Sequence, residues 1–265
     1  MELHLEPKIA HILGPLWINS YGLAMAISIT FFFFLSSRDP RVKQLGLDLE
    51  KYIEMLFFGI ISGVIGSRFF HILQELNYFK LNPLAVFKVW DGGLSMLGGL
   101  IFVPVTIIYI LRNSKIPILK FFDLVCTYAP IIEAVTRFGC LASGCCYGAP
   151  VAANSFLSII YTNPNSLAPV GIPLCPAQIY ASIASFATLL VLYLISKLKP
   201  YPGTILSLFF AFSGFTRFAL DFIRGERGEL LGLISWYQYL ALAMALSGII
   251  GFSFIVVFNR YREQH

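Results

Sequence analysis

Blocks of apolar residues recur along this chain, separated by short stretches rich in Gly, Pro, Asn and charge. Each block is close to the roughly 20 residues that an α-helix needs to cross the hydrocarbon core of a bilayer. Hydrocarbon offers no water to an unpaired backbone N–H or C=O, so only helices or closed barrels can span it, and blocks of this length select helices. The charge content supports the same reading: 12% of the residues are Asp, Glu, Lys or Arg, about half the roughly 25% of a soluble domain. Mean hydropathy is +0.76. These values exclude a soluble globular domain, a secreted disulfide scaffold and a nucleic-acid binder. The formal charge of +5 is spread over segments that flank apolar blocks, where it records topology.

Seven spans are predicted, near Leu16–Leu35, Tyr52–Leu73, Gly93–Leu111, Phe121–Phe138, Pro176–Ile195, Gly203–Ile223 and Ile234–Phe258. Arg38, Arg41 and Lys43 follow the first, Arg112 and Lys115 the third, Lys197 and Lys199 the fifth, and Arg260 and Arg262 the last. Basic residues mark cytoplasmic segments, so the expectation is an N-terminus outside and a C-terminus in the cytoplasm. The stretch 139–175 carries no charged residue and is expected as an outward loop between spans four and five. Met1–Pro15 has neither a basic region nor a small-residue cleavage site, so the first span is expected to stay as an anchor. No repeat or linker divides the sequence. The expected fold is therefore an all-α, polytopic membrane helix bundle forming one domain over residues 1–265.

Ionisable residues inside such spans cost roughly 2.5–3.5 kcal/mol each even on lenient insertion scales, and are functional candidates by default. Arg68 lies in the second span, Glu133 and Arg137 in the fourth, Arg217 and Asp221 in the sixth, with Arg224 just beyond. Glu133 and Arg137 stand at i, i+4, as do Arg217 and Asp221, so each arginine is expected to share a helix face with its own carboxylate. With the expected topology, all the arginines fall toward the outer leaflet. Tyr21, Gly98, Gly99, Gln178, Tyr180 and Gln238 lie toward the same depth. The pattern describes a polar pocket opening outward, and a phospholipid phosphate matches the planar donor fork of arginine.

Cys140, Cys145, Cys146 and Cys175 lie on or beside the outward loop, while Cys126 lies within the fourth span. A C-x4-CC run fits none of the usual zinc spacings, and there is no histidine between His71 and His265, so no metal site is expected. On an oxidising face these thiols allow a disulfide in several pairings or one reactive thiol, and the sequence leaves those alternatives open.

The run Thr136-Arg137-Phe138-Gly139-Cys140-Leu141-Ala142-Ser143-Gly144-Cys145-Cys146-Tyr147-Gly148 resembles the signature of prolipoprotein diacylglyceryl transferases. Further motifs follow in the family's order: Gly14-Pro15 and Tyr21-Gly22-Leu23, Gly66-Ser67-Arg68, Gly92-Gly93-Leu94-Ser95 with Gly98-Gly99-Leu100, Pro176-Ala177-Gln178-Ile179-Tyr180, Arg217 to Asp221 to Arg224, and Gln238. The resemblance implies a bacterial inner-membrane (plasma-membrane), multi-pass transferase of lipoprotein biosynthesis that needs no cofactor. It would move a diacylglyceryl group from phosphatidylglycerol to the lipobox cysteine thiol in the signal peptide of a prolipoprotein, within membrane lipid and without nucleic acid. It assigns catalytic roles to Arg137, Arg217, Tyr21 and Asp221. Substrate-binding roles go to Arg68, Arg224, Gly98, Gly99, Gly139, Ser143, Gly148, Gln178, Tyr180 and Gln238. The family's S-F-H-G-G motif reads Ser95-Met96-Leu97-Gly98-Gly99 here, so its histidine is Leu97, and His71 is the candidate substitute base. The signature's Asn and Glu are Cys140 and Cys145, its second Asn is Ser143, and the Glu after P-x-Q-x-Y is Ala181. These departures define the alternative reading, a non-catalytic or thiol-redox paralogue that binds phospholipid or lipoprotein precursor in the same pocket.

Overall fold

The computed structural model describes residues 2–13, 16–88, 93, 95–112, 114–152, 155, 157–225, 229–230 and 234–264. Ten α-helices appear among them: α1 (Ser20–Ser37), α2 (Arg41–Gln44), α3 (Leu49–Gln74), α4 (Leu76–Leu81), α5 (Met96–Leu111), α6 (Ile118–Tyr128), α7 (Pro130–Ser143), α8 (Ala177–Lys197), α9 (Thr204–Asp221) and α10 (Trp236–Gln264). Five are long and apolar enough to cross a membrane, namely α1, α3, α8, α9 and most of α10. Side chains such as Phe57 and Ile65 on α3 and Ile250, Phe254 and Val257 on α10 are exposed, an apolar surface that lipid, and not water, covers favourably. The chain is an all-α polytopic membrane protein.

The helices differ from the expected spans in instructive ways. Leu16–Asn19, expected at the start of the first span, is strand β3, paired antiparallel with β2 (Lys8–Leu13). The fourth expected span is two helices, because Pro130 lacks the N–H that would continue α6 and instead opens α7 at its first position. Helix α7 then runs to Ser143, five residues into the expected loop, and ends at Gly144, whose φ of 75° is the left-handed conformation that glycine adopts freely. Helix α5 has 16 residues and carries Pro104. Gly14-Pro15, Gly92 and Leu94 of the family motifs lie outside the described residues.

The backbone forms two compact units, residues 37–121 and residues 1–36 with 122–265. In the first, α3 and α5 meet through glycine. A Cβ at Gly98 would stand 1.9 Å from the Gly66 carbonyl oxygen, and one at Gly66 would meet Phe102 and Gly98 backbone. Lipid tails are as apolar as leucine, so helices in a bilayer gain from such close backbone approach more than from burying large side chains. Gly98 and Gly99, candidate substrate-binding residues in the sequence, lie at this helix contact, with the Cβ of a side chain at Gly99 falling 3.2 Å from Ser67 Oγ.

The second unit uses the same device. Gly214 of α9 faces Ala241 and Ala245 of α10, and Gly248 of α10 faces Ser207 and Ala211 of α9. The N-terminus of α9 is held by a buried carboxylate: Asp123 accepts hydrogen bonds from the backbone N–H of Gly203 (2.7 Å) and Leu206 (2.8 Å). A negative charge there pairs the orphan donors of the first turn and opposes the positive end of the helix dipole. Between α7 and α8, β1 (Glu2–Leu3), β4 (Ile159–Tyr161) and β5 (Pro173–Leu174) form a three-stranded sheet. Leu3, Ile159, Tyr161, Ala168 and Leu174 make its core, packed against Leu141 of α7 and Ile179 of α8. The long loop is thus a small folded cap. Beyond it, β6 (Glu229–Leu230) pairs with β7 (Ile234–Ser235) ahead of α10.

A methyl group at Gly98 has backbone on its far side and cannot be absorbed by a rotamer change, whereas one at Gly22 meets nothing within 4 Å. Gly98→Ala is expected to destabilise the detergent-solubilised protein by about 1–3 kcal/mol, and Gly22→Ala to leave stability level or raise it slightly. Thermal unfolding of the two variants beside wild type checks both.

Candidate functional site

In the unit formed by residues 1–36 and 122–265, the sequence-predicted polar residues converge on the C-terminal end of α7. Arg137 Nη2 donates to Glu133 Oε1 at 2.7 Å, the expected i, i+4 pair. The Arg137 side chain is mostly buried, while that of Glu133 is 40% exposed and solvent screens that side of the pair. Gly139 brings α1 against α7, since a Cβ there would lie 3.0 Å from Tyr21 Cα and 2.6 Å from Ala24 Cβ. Ser143 Oγ donates to the Gly139 carbonyl and stands 3.1 Å from Ser20 Oγ. Gly139 and Ser143, expected to bind substrate, are used here to place Tyr21 beside the signature turn. Tyr21 is 41% exposed and lies within electrostatic reach of Arg137, Cys140, Cys145 and Cys146.

Past α7 the chain reverses. The Cys145 N–H donates to the Cys140 carbonyl (3.1 Å), and Cys146 takes φ 57°, a left-handed conformation that costs a side chain about 1 kcal/mol or more. The reversal returns Cys145 and Cys146 to Cys140, and the three sulfurs lie within 4.8 Å of one another. Buried Gln178, at the start of α8, donates from Nε2 to the Cys145 carbonyl (2.9 Å) and contacts Tyr161 Oη (3.3 Å). Tyr161 in turn donates to the Leu141 carbonyl. Gln178 therefore positions the turn, and Tyr161 is a participant that the sequence did not disclose. Tyr180 is half-buried on the first turn of α8.

Gly148 has its N–H bonded to the Cys175 carbonyl (3.1 Å), and a Cβ there would come within 2.3 Å of the same oxygen. It also bridges to Arg224, while Ala149 N–H donates to the Ile223 carbonyl (2.8 Å) and Gly225 N–H to the Tyr147 carbonyl (3.0 Å). These main-chain bonds deliver Arg224 to the cysteine turn. Arg224 Nε is buried with no hydrogen-bond partner among the described residues. Cys175 is a free thiol outside the three-sulfur group.

Arg217 departs from expectation. Its guanidinium stands 5.9 Å from the centre of the Tyr237 ring and within the field of Arg137, Arg224, Glu133 and Cys146, and among the described residues it forms no ion pair with Asp221. Asp221 is 2% exposed and accepts a 2.5 Å hydrogen bond from Ser235 Oγ. Ser235 Oγ also accepts from the Gln238 N–H, and the Gln238 side-chain oxygen accepts from the Ser235 N–H. This reciprocal S-x-x-Q arrangement is a capping box at the start of α10. Asp221 and Gln238, read from the sequence as catalytic and substrate-binding candidates, also join α9 to α10. The Ser235 hydroxyl offers a hydrogen bond to a buried carboxylate at the end of α9, and Arg217 points to Tyr237.

Three arginines therefore act on one another and on the cysteine turn, with Glu133 the carboxylate in their midst. The Cys146 thiol is pulled well below the usual thiol range by hydrogen bonds from Cys140 and Cys145, with Arg224 and Arg137 adding to the effect and burial opposing it. The excess of positive charge favours an anion, and the guanidinium forks suit phosphate oxygens.

The unit of residues 37–121 holds Arg68 and His71. Arg68 Nε donates to the Val86 carbonyl (3.0 Å), Nη1 to Gly93 (3.1 Å), and Nη2 to Ala85 (2.5 Å) and Lys88 (3.1 Å). Its fork is filled by backbone, so Arg68 clamps the segment after α4. His71 packs edge-on against Phe79, and a Cβ at Gly93 would fall 2.3 Å from its Nε2.

A family model described as "Prolipoprotein diacylglyceryl transferase" matches residues 7–254. The chain belongs to this family. Relatives include the phosphatidylglycerol–prolipoprotein diacylglyceryl transferase of Clostridium tetani, 28% identical with 98% of this chain and 100% of the relative covered. The protein of that name from Cupriavidus pinatubonensis is 31% identical over 92% of this chain and 89% of its own. A Clostridium perfringens protein named phosphatidylglycerol–prolipoprotein diacylglyceryl transferase 2 is 28% identical, with 90% and 93% covered. Membership of the transferase family extends over nearly the whole chain, the cysteine turn included.

If Asp221 and Ser235 act as one buried unit, removing either should cost nearly as much as removing both. Asp221→Ala and Ser235→Ala are each expected to destabilise the protein, with a coupling of about 1–3 kcal/mol in a double-mutant cycle measured by thermal or chemical unfolding. Additive losses would show that the two side chains act independently.

Proposed function

We propose that this chain transfers a diacylglyceryl group from phosphatidylglycerol to the lipobox cysteine thiol of a prolipoprotein, at the outer face of a bacterial inner membrane. The observation that carries the reading is the convergence of Arg137, Arg217 and Arg224 on one turn of a membrane protein, opposed by the carboxylate of Glu133. Displacement of a phosphate ester by a thiol builds charge on the leaving phosphate, and fixed cations in a water-poor site stabilise that charge without reorganising. Arg137, held by Glu133, and Arg217, held over Tyr237, fill the clamp. The unpartnered Nε of Arg224 supplies a further donor. Tyr21, within electrostatic reach of Arg137, would donate its hydroxyl to a phosphate or glycerol oxygen, and Tyr180 lies on the first turn of α8.

Buried Gly139, Ser143, Gly148 and Gln178 serve this reading by position: they fix α1, the signature turn and the Arg224 segment against α7. His71, in the unit of residues 37–121, is tested by its alanine variant in the same assay. The names borne by the relatives supply the donor and acceptor classes, and the charge-free loop supports an outward site.

The test is a transfer assay in nanodiscs with phosphatidylglycerol and a lipobox peptide, read by mass spectrometry. Wild type is expected to add the diacylglyceryl mass, and Arg137→Ala and Arg217→Ala to lower the rate by roughly 100-fold or more. A folded wild type that adds nothing would sink this function. Undiminished transfer by both arginine variants would remove the clamp.

A further inference from the structure

We propose that Cys140, Cys145 and Cys146 form a three-thiolate site for a zinc ion whose fourth position takes the acceptor cysteine thiol. The inference rests on the transferase reading and concerns how the acceptor is activated.

The sequence spacing spoke against a metal, and the fold removes that objection. The left-handed turn at Gly144 and Cys146 brings residues five and six positions downstream back to Cys140, with the sulfurs within 4.8 Å of one another. Zinc–sulfur bonds of about 2.3 Å in a tetrahedron separate the sulfurs by about 3.8 Å, so adjustments of about 1 Å or less enclose one ion. The turn is held for the purpose from several sides. Gln178 bonds the Cys145 carbonyl, Ser143 accepts from the Leu167 N–H, and Gly148 is tied to Cys175. Cys175 stands outside the group, so among the described residues three protein ligands leave the fourth position open, the mark of a catalytic and not a structural zinc site.

Charge balance agrees. Three thiolates around a divalent ion leave a net negative centre, and Arg137 and Arg224 both act on Cys146. Transfer also needs a place for the acceptor proton, and among the described residues the carboxylates nearby are engaged: Glu133 holds Arg137 and Asp221 holds Ser235. A thiol that binds such an ion is deprotonated outright. In the step that follows, the acceptor thiol releases its proton to solvent as its sulfur enters the open position. That sulfur then attacks the glycerol carbon bearing the phosphate ester. The carbon–oxygen bond breaks, its electron pair leaves on glycerol phosphate between the arginines, and the thioether product departs as a poor ligand. The ion is unchanged, and no oxidant or reductant is consumed.

Cobalt(II) titration of the reduced, metal-stripped, full-length protein in detergent tests the site without relying on activity. Wild type is expected to develop sulfur-to-cobalt charge transfer and tetrahedral d–d bands that saturate near about one ion per chain and vanish on adding zinc. The bands should shift when a lipobox peptide is added, and stay put with its Cys→Ser version. Cys146→Ser should weaken cobalt binding by roughly 10-fold or more. A folded, reduced wild type without charge-transfer bands overturns the site, as does undiminished binding by Cys146→Ser or a disulfide among the three cysteines in the active protein. Full peptide transfer by metal-free protein also overturns it while leaving the transferase reading intact. Cobalt bands that respond to the peptide in a chain that never modifies it would uphold the thiol site and sink the transferase reading.

Discussion

A chain surrounded by hydrocarbon must satisfy every polar group from within, and this constraint orders the rest of the structure. Helix contacts cannot rely on squeezing apolar side chains out of water. They rely on bare backbone: Gly66 against Gly98, Gly214 against Ala245, Gly248 against Ala211. Charges follow the same logic. Asp123 is answered by the N-terminus of α9, Arg68 by four carbonyls, Asp221 by Ser235 and Glu133 by Arg137. What remains after these pairings is positive and lies beside the signature turn, and there the chemistry is assigned.

Sorting the arginines by what already fills their forks separates scaffold from site. Arg68 and Arg137 look alike in the sequence, each a cation within an apolar helix. Arg68 has its donors on the segment after α4, whereas Arg224 keeps a buried Nε without a partner among the described residues. By the same criterion Asp221 and Gln238 are tied into the α9–α10 junction, and Gly66 and Gly98 into the contact of α3 with α5.

Much of the fold was legible because it depends on local chemistry. The long apolar blocks became helices, and the i, i+4 pair of Glu133 and Arg137 formed as its spacing required. The S-x-x-Q run at 235–238 is a helix-start pattern that local sequence carries in full. Other features were hidden because they join residues far apart in the chain. Tyr161 reaches Gln178 and Leu141 only once the cap sheet forms. The C-x4-CC spacing looked unsuited to a shared ligand because linear distance does not register a left-handed turn. Proline placed the break between α6 and α7 in plain view, yet the surrounding hydrophobicity reads as one continuous span.

The junction at Gly148 has an evolutionary consequence. One residue's backbone is bonded to Cys175 before α8 and bridged to Arg224 after α9, so the signature loop is fastened to two segments distant in sequence. These attachments are main-chain bonds, so a loop exchanged from a divergent member would re-form them whatever its other side chains, provided that glycine stands at 148, where a Cβ would meet the Cys175 carbonyl. Recombination should therefore be free to vary the three segments separately while keeping that one glycine.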